Sequence, residues 1–183
     1  EISMMPTDSV YGVWPNSGEI EIVEMDTINV PSHHIHGTLH YDNGDVSSTG
    51  KAYAMTDGAM PADGFHTYAV EWNEGEIRWY IDDYLYATQR KSDVVTNSKG
   101  ESVGLRHQGW FAEHYSSATG ELETVYSNAP FDQEFFLALD LAVSDWTEDD
   151  ANASTYVDAL ANGQTFKIDY VRVYECSMNP ETG

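Results

Sequence analysis

Strict alternation of apolar and polar positions marks the middle of the chain. Tyr68, Val70 and Trp72 fall on one side of an extended segment, Asn73-Glu74-Gly75 supplies a turn, and Ile77, Trp79 and Ile81 resume the period on the return. A period of two belongs to a strand, so this stretch predicts a β-hairpin. Asp82-Asp83 offers a second tight turn into Tyr84–Thr88, extending the hairpin to a three-stranded meander. Phe135–Val143 is apolar on both faces apart from Asp140 and reads as a central strand between stacked layers. Phe166–Tyr174 is β-branched and aromatic, with a charge at every second or third place, and reads as a closing strand. Gly-, Ser-, Asn- and Asp-rich connections separate these segments at the spacing of an all-β sandwich. The best helix signal, Ala153–Leu160, spans only two turns, and no internal repeat is present. One β domain over residues 1–183 is the economical reading.

Composition narrows the partners. With 183 residues, 41% hydrophobic and 13% aromatic, the chain has the material for one sizeable core. Only 8 Lys and Arg face 31 Asp and Glu, a net charge of -23. Such a field repels phosphate backbones and anionic lipid surfaces, which excludes nucleic acid and membrane as partners. No apolar run approaches the ~20 residues needed to cross a bilayer. The acidic residues are spread along the chain, as in a solubilising surface suited to saline surroundings. Cys176 is the single cysteine, so no internal disulfide can form.

The stretch Trp14-Pro15-Asn16-Ser17-Gly18-Glu19-Ile20-Glu21-Ile22-Val23-Glu24 puts three carboxylates among β-branched residues. Glu is depleted from strands, and like charges on one face repel, so the pattern is costly unless it serves chemistry. Simple alternation puts Glu19 and Glu21 on one face and Glu24 on the other. A β-bulge after Glu21 would restore Glu24 to their face. The sequence fits either state.

Trp-Pro-x-Ser-Gly-Glu-Ile-x-Ile-x-Glu, as it stands at Trp14–Glu24, resembles the signature strand of glycoside hydrolase family sixteen in its bulged, laminarinase-like branch. Met4-Met5-Pro6, Gly37-Thr38-Leu39-His40-Tyr41, Phe65–Trp72, Pro130-Phe131-Asp132-Gln133 and Ile168–Tyr174 follow in that family's order. The resemblance implies a β-jelly-roll sandwich of two antiparallel sheets, of the concanavalin A-like type. It also implies a secreted, retaining endo-β-glucanase acting on β-1,3- or mixed-linkage β-1,3/1,4-glucan. Glu19 falls on the nucleophile, Glu24 on the acid/base and Glu21 on the supporting carboxylate between them. Retention needs two carboxyls about 5–5.5 Å apart, one attacking and one protonating the leaving oxygen. Crowding by Glu21 should raise the acid's pKa while the nucleophile stays ionised. The family usually carries Asp at the middle position, so Glu21 is one methylene longer. That departure motivates the alternative class, a non-catalytic β-glucan-binding or structural module.

Aromatic rings beside carboxylates suit the flat apolar faces of sugars. Trp14, five residues before Glu19, matches a sugar-contacting position of the family. Trp110 and Trp146 lie in loops where they could line a cleft, whereas Trp72 and Trp79 belong to the hairpin's core pattern. His34, His36 and His40 would share one face of an extended strand but lack the separated pairs of structural zinc sites. The resemblance puts His40 beside the catalytic strand, able to meet a carboxylate or a sugar. No cofactor is implied for catalysis. Asp169 matches a carboxylate that helps hold a structural calcium in relatives, though calcium takes six to eight oxygens and one Asp is not a site. The resemblance further implies an N-terminal third, with strands of both sheets, preceding Met4. The expectation is, first, that it belongs to a longer chain of which this is a fragment, second, that a second chain supplies those strands, and last, that the domain has a reduced form.

Overall fold

A computed structural model describes residues 1–25, 33–41, 47–142, 161, 163 and 165–175. The chain divides into two compact units, Glu1–Asp140 and Leu141–Gly183. Twelve strands are assigned among the described residues, all in the first unit. They are β1 (Ile2–Pro6), β2 (Glu19–Glu24), β3 (His34–Tyr41), β4 (Ser47–Ala54), β5 (Tyr68–Asn73), β6 (Glu76–Ile81), β7 (Tyr84–Arg90), β8 (Asp93–Thr96), β9 (Ser102–Arg106), β10 (Ala112–Tyr115), β11 (Leu122–Val125) and β12 (Phe135–Leu139).

Every strand pairing is antiparallel. A five-stranded sheet runs in the order β12-β1-β2-β3-β4, and the expected meander β5-β6-β7 forms a three-stranded sheet. Ribbons β8-β9 and β10-β11 complete the unit. The meander's turns match the sequence: Gly75 at φ 92 closes the first, and Asp82 and Asp83 occupy the left-handed region at φ 47 and φ 65 in the second. Asp residues tolerate that region because a short polar side chain can bond locally. The Thr67 amide donates to Asp82 Oδ1 at 2.9 Å.

The two main sheets bury their facing sides against each other. Ile20, Ile35, Leu39 and Tyr41 from the larger sheet pack with Ile77, Trp79, Ile81, Tyr86 and Ala87 from the meander, and Trp110 and Phe131 close the cluster. Each buried Ile, Leu or Phe among them stabilises the fold by about 1.5–3 kcal/mol. On β3 the buried positions Ile35, Gly37, Leu39 and Tyr41 alternate with the half-buried His34, His36, Thr38 and His40. The first set faces the core. The second lines the opposite face of the larger sheet.

Two strand expectations need correction. β12 ends at Leu139 and lies at the edge of its described sheet, paired with β1 alone. Phe135 packs against Trp72 and Phe131, but Phe136 is half exposed. An apolar run on both faces therefore does not by itself make a central strand, because a second neighbour must also arrive. No strand forms over residues 166–174. Ile168, Val171 and Val173 are exposed there. β-propensity expresses packing against neighbouring strands and is not realised without them. Within that second unit the Arg172 guanidinium lies 4.2 Å from the centre of the Tyr170 ring, a cation–π contact. The helix expected over Ala153–Leu160 and the lone Cys176 fall outside the described residues.

Candidate active site

A closed loop delivers the chain into β2. Ser17 is buried; its Oγ accepts from the Tyr11 amide at 3.0 Å and donates to the Gly12 carbonyl at 2.7 Å. Gln133 Nε2 donates to the Ser17 carbonyl at 2.9 Å. Gly18 has φ +84, and a Cβ there would lie 2.9 Å from Phe131 Cε1. Glycine is thus required for both the turn and the close approach. The loop folds Trp14 back over the strand, where its Nε1 donates to Glu19 Oε2 at 2.7 Å.

The open question of alternation is settled by register. Against β3, Glu19 pairs with His40 and Glu21 with Thr38, but Glu24 pairs with His36. Three steps on β2 oppose two on β3. Against β1 the same surplus occurs, since Ser3 pairs with Glu21 and Ile2 with Val23. A β-bulge at Ile22-Val23 therefore returns Glu24 to the face of Glu19 and Glu21. The bulge is held from beneath, because Trp79 Nε1 donates to the Glu21 carbonyl at 2.8 Å. The indole reaches that carbonyl only because residue 37 is glycine: a Cβ there would stand 2.4 Å from Trp79 Cδ1.

On the resulting face His40 Nε2 and Glu21 Oε1 are 2.7 Å apart, and the Trp14 and His40 rings lie 5.7 Å apart, tilted by 43°. Glu19 and Glu21 are both buried, while Trp14 is 58% exposed. The pocket divides charge unequally. Burial raises the pKa of Glu19, and the like charge of Glu21 adds to the rise, against the Trp14 hydrogen bond and the His40 charge. Burial also pushes Glu21 upward, but its hydrogen bond with His40, the Thr38 side chain and the charges of His40 and His36 together bring it below the usual value. The Glu21 hydrogen bond raises His40, against burial, and the charges of Glu21, Glu19 and Glu24 add to that rise. Charge therefore resides most firmly on the Glu21–His40 pair.

Among the anticipated residues, Trp14, Glu19, Glu21 and His40 meet directly, and Glu24 shares their face. Trp110 does not join them. It is 1% exposed, stands edge-on to Phe131 at 5.3 Å and donates from Nε1 to the Asn128 carbonyl at 3.3 Å. A ring enclosed in the core offers no face to a sugar, so its assignment to the cleft is corrected to packing. Trp146 lies outside the described residues. Asp169 is exposed in the second unit, and among the described residues no group of three or more His, Cys or acidic ligands includes it. His34 and His36 likewise join no such group among the described residues, where the one found is Glu19, Glu21 and His40. Sequence reasoning missed Gly37 and the polar use of Trp79. The glycine's place opposite the hairpin's largest aromatic becomes visible only once the sheets are stacked.

A carboxylate held by one indole N–H, a second carboxylate paired to imidazole and a third on the same face form a set able to attack a carbon centre and exchange protons with a leaving oxygen. The sequence model of glycosyl hydrolases family 16 matches residues 6–128. Glucan endo-1,3-beta-glucosidase A1 of Niallia circulans is 34% identical over 174 residues, 94% of this chain and 21% of that protein. The beta-1,3-glucan-binding protein of Penaeus monodon is 26% identical over 210 residues, 95% of this chain and 54% of that protein. The solved laminarinase of Rhodothermus marinus superimposes with a TM-score of 0.48 and 28% identity, over 74% of this chain and 44% of that one. The chain thus spans from about a fifth to about half of the length of these relatives.

Proposed function

The chain belongs to glycosyl hydrolases family 16, and from that premise we propose a retaining endo-β-glucanase that cleaves β-1,3- or mixed-linkage β-1,3/1,4-glucan. The observation that carries this reading is the bulge at Ile22-Val23, which gathers Glu19, Glu21 and Glu24 onto one face. Glu19 is the nucleophile. Trp14 occupies its Oε2 and leaves Oε1 to attack the anomeric carbon. Glu24 protonates the departing glycosidic oxygen and then, as base, activates the water that releases the glycosyl-enzyme. Glu21, charged and paired to His40, supplies a fixed negative potential beside an oxocarbenium-like transition state. The exposed indole of Trp14 offers a stacking surface for a sugar ring. A polymeric substrate too large to enter a cell supports secretion.

Release of reducing ends from laminarin tests the assignment. Glu19→Gln and Glu24→Gln should each lower it by at least about a hundredfold, the scale of a lost acid–base or nucleophilic group. Equal activity in either variant would remove that residue from the chemistry. A second reading, a glucan-binding module without hydrolysis, draws on the Penaeus relative's name and on Glu21 in the place of Asp. Laminarin binding with no hydrolysis in the unaltered protein would favour it.

A further inference from the structure

The carboxylate face of the larger sheet continues past the carboxylates onto β1 and β12. On β1, Ile2 and Met4 pack against the core, so alternation sends Ser3 and Met5 to the opposite face. On β12, Phe135 packs against the core, which sends Phe136 and Ala138 the same way. Register then sets the rows. Ala138 pairs with Ser3, and Ser3 with Glu21. In the next row Phe136 pairs with Met5, and the register that puts Met4 opposite Ile20 brings Met5 beside Glu19, which itself pairs with His40. Phe136, Met5, Glu19 and His40 thus form one line across four strands.

An exposed apolar side chain taken singly needs no explanation, but Phe136 is 52% exposed at the end of a line that runs through Glu19. Trp14 stands on the other flank, its ring 5.7 Å from that of His40. The row beside Phe136 carries Ala138 and Ser3, small side chains that do not crowd the ring. Neighbouring strands are about 4.8 Å apart, so β12 lies roughly 10 Å from β2. That is too far to touch the sugar attacked at Glu19 and near enough to hold a unit further along the same polymer. We propose that Phe136, with Met5 beside it, is a stacking platform for a glucose unit of the glucan, on the flank of the carboxylates opposite Trp14. The placement rests on the function proposed above, in which a glucan chain crosses this face. The side chain selects the sugar. Phenylalanine offers a π face and no hydrogen-bonding group, so it favours a ring whose faces carry only C–H. β-Glucose, with every hydroxyl equatorial, has two such faces; an axial hydroxyl, as in galactose, spoils one.

Retardation in laminarin-containing native gels tests the platform through binding, in a Glu19→Gln background or, if that variant does not fold, in Glu24→Gln. Phe136→Ala should weaken laminarin binding about three- to tenfold, the scale of one aromatic stacking contact. Phe136→Leu, which keeps apolar bulk without a ring, should lose as much, and Phe136→Tyr should bind as the parent does. In the active protein KM for laminarin should rise by the same factor while kcat changes less, because stacking holds ground state and transition state alike. Tyr84→Ala, which removes an exposed ring from β7 of the other sheet, should change neither quantity. Since Phe136 is exposed, all three of its variants should keep the parent's urea midpoint. Undiminished binding in Phe136→Ala, full binding in Phe136→Leu, an equal loss in Tyr84→Ala or no laminarin binding by the parent would overturn the proposal. Laminarin bound but not hydrolysed by the unaltered protein would strike the catalytic reading alone, and the comparison of binding among the variants would still decide the platform.

Discussion

The Glu21 carboxylate meets the His40 imidazole at 2.7 Å, and the pH dependence of stability should report that contact. His40 has a folded pKa above its ordinary value of 6.5, so its contribution is complete below 6.5 and fades as pH rises through the folded value. Glu21 has a folded pKa below its ordinary 4.5, so its contribution is present above 4.5 and is lost as pH falls through the folded value. The thermal midpoint should therefore decline on the alkaline side of 6.5, and His40→Gln should flatten that decline. An identical alkaline slope in the variant would show that the pair adds nothing. Two further residues act through the backbone. Trp79→Phe keeps a ring but leaves the Glu21 carbonyl without its buried donor, a loss of about 1–3 kcal/mol. Gly37→Ala forces a methyl into the Trp79 indole and should cost about 1–3 kcal/mol as overpacking. Urea unfolding measures both, and the proposed glucan hydrolysis should fall with each because the bulge positions Glu24.

Among the elements, β6 combines a core face with a charged one. Ile77, Trp79 and Ile81 bury one side, while Glu76, only 1% exposed, lies against Arg78 on its own strand and Arg90 directly across on β7. Glu71 adds a contact to Arg78 at 3.5 Å. Glu76→Gln keeps the shape and removes the charge, leaving two guanidinium groups beside each other. Arg90 is partly exposed, so solvent screens its share. The expected destabilisation is about 1.5–3 kcal/mol, the range for a hydrogen bond to a charged group, read from urea midpoints. The meander β5-β6-β7 was legible because its strands are consecutive and its turns carry Gly75 and Asp82-Asp83. The edge position of β12 was not. Its partner β1 lies over a hundred residues earlier, as in Ile2 opposite Leu139, and no local pattern encodes a pairing at such separation.

For the whole molecule, a charge of -23 stores repulsion that compaction concentrates. Raising ionic strength from about 0.01 M to about 1 M shortens the screening length from about 30 Å to about 3 Å. The thermal midpoint should rise with sodium chloride over that range, most steeply at the dilute end. A flat or falling response would place the acidic groups too far apart to matter.

Residue order alone determined the all-β class, the meander, the family and the short list Trp14, Glu19, Glu21, Glu24 and His40, because alternation, turn chemistry and spaced motifs are local properties of a chain. Only the tertiary structure decided whether Glu24 joins the other two carboxylates. That depends on one extra residue at Ile22-Val23, seen in the registers against β1 and β3 and held by an indole from the opposite sheet. It also decided that Trp110 is core and that Glu21 binds imidazole. Burial and register are set by what arrives from distant segments, and a side chain's neighbours exist only after the sheets have stacked.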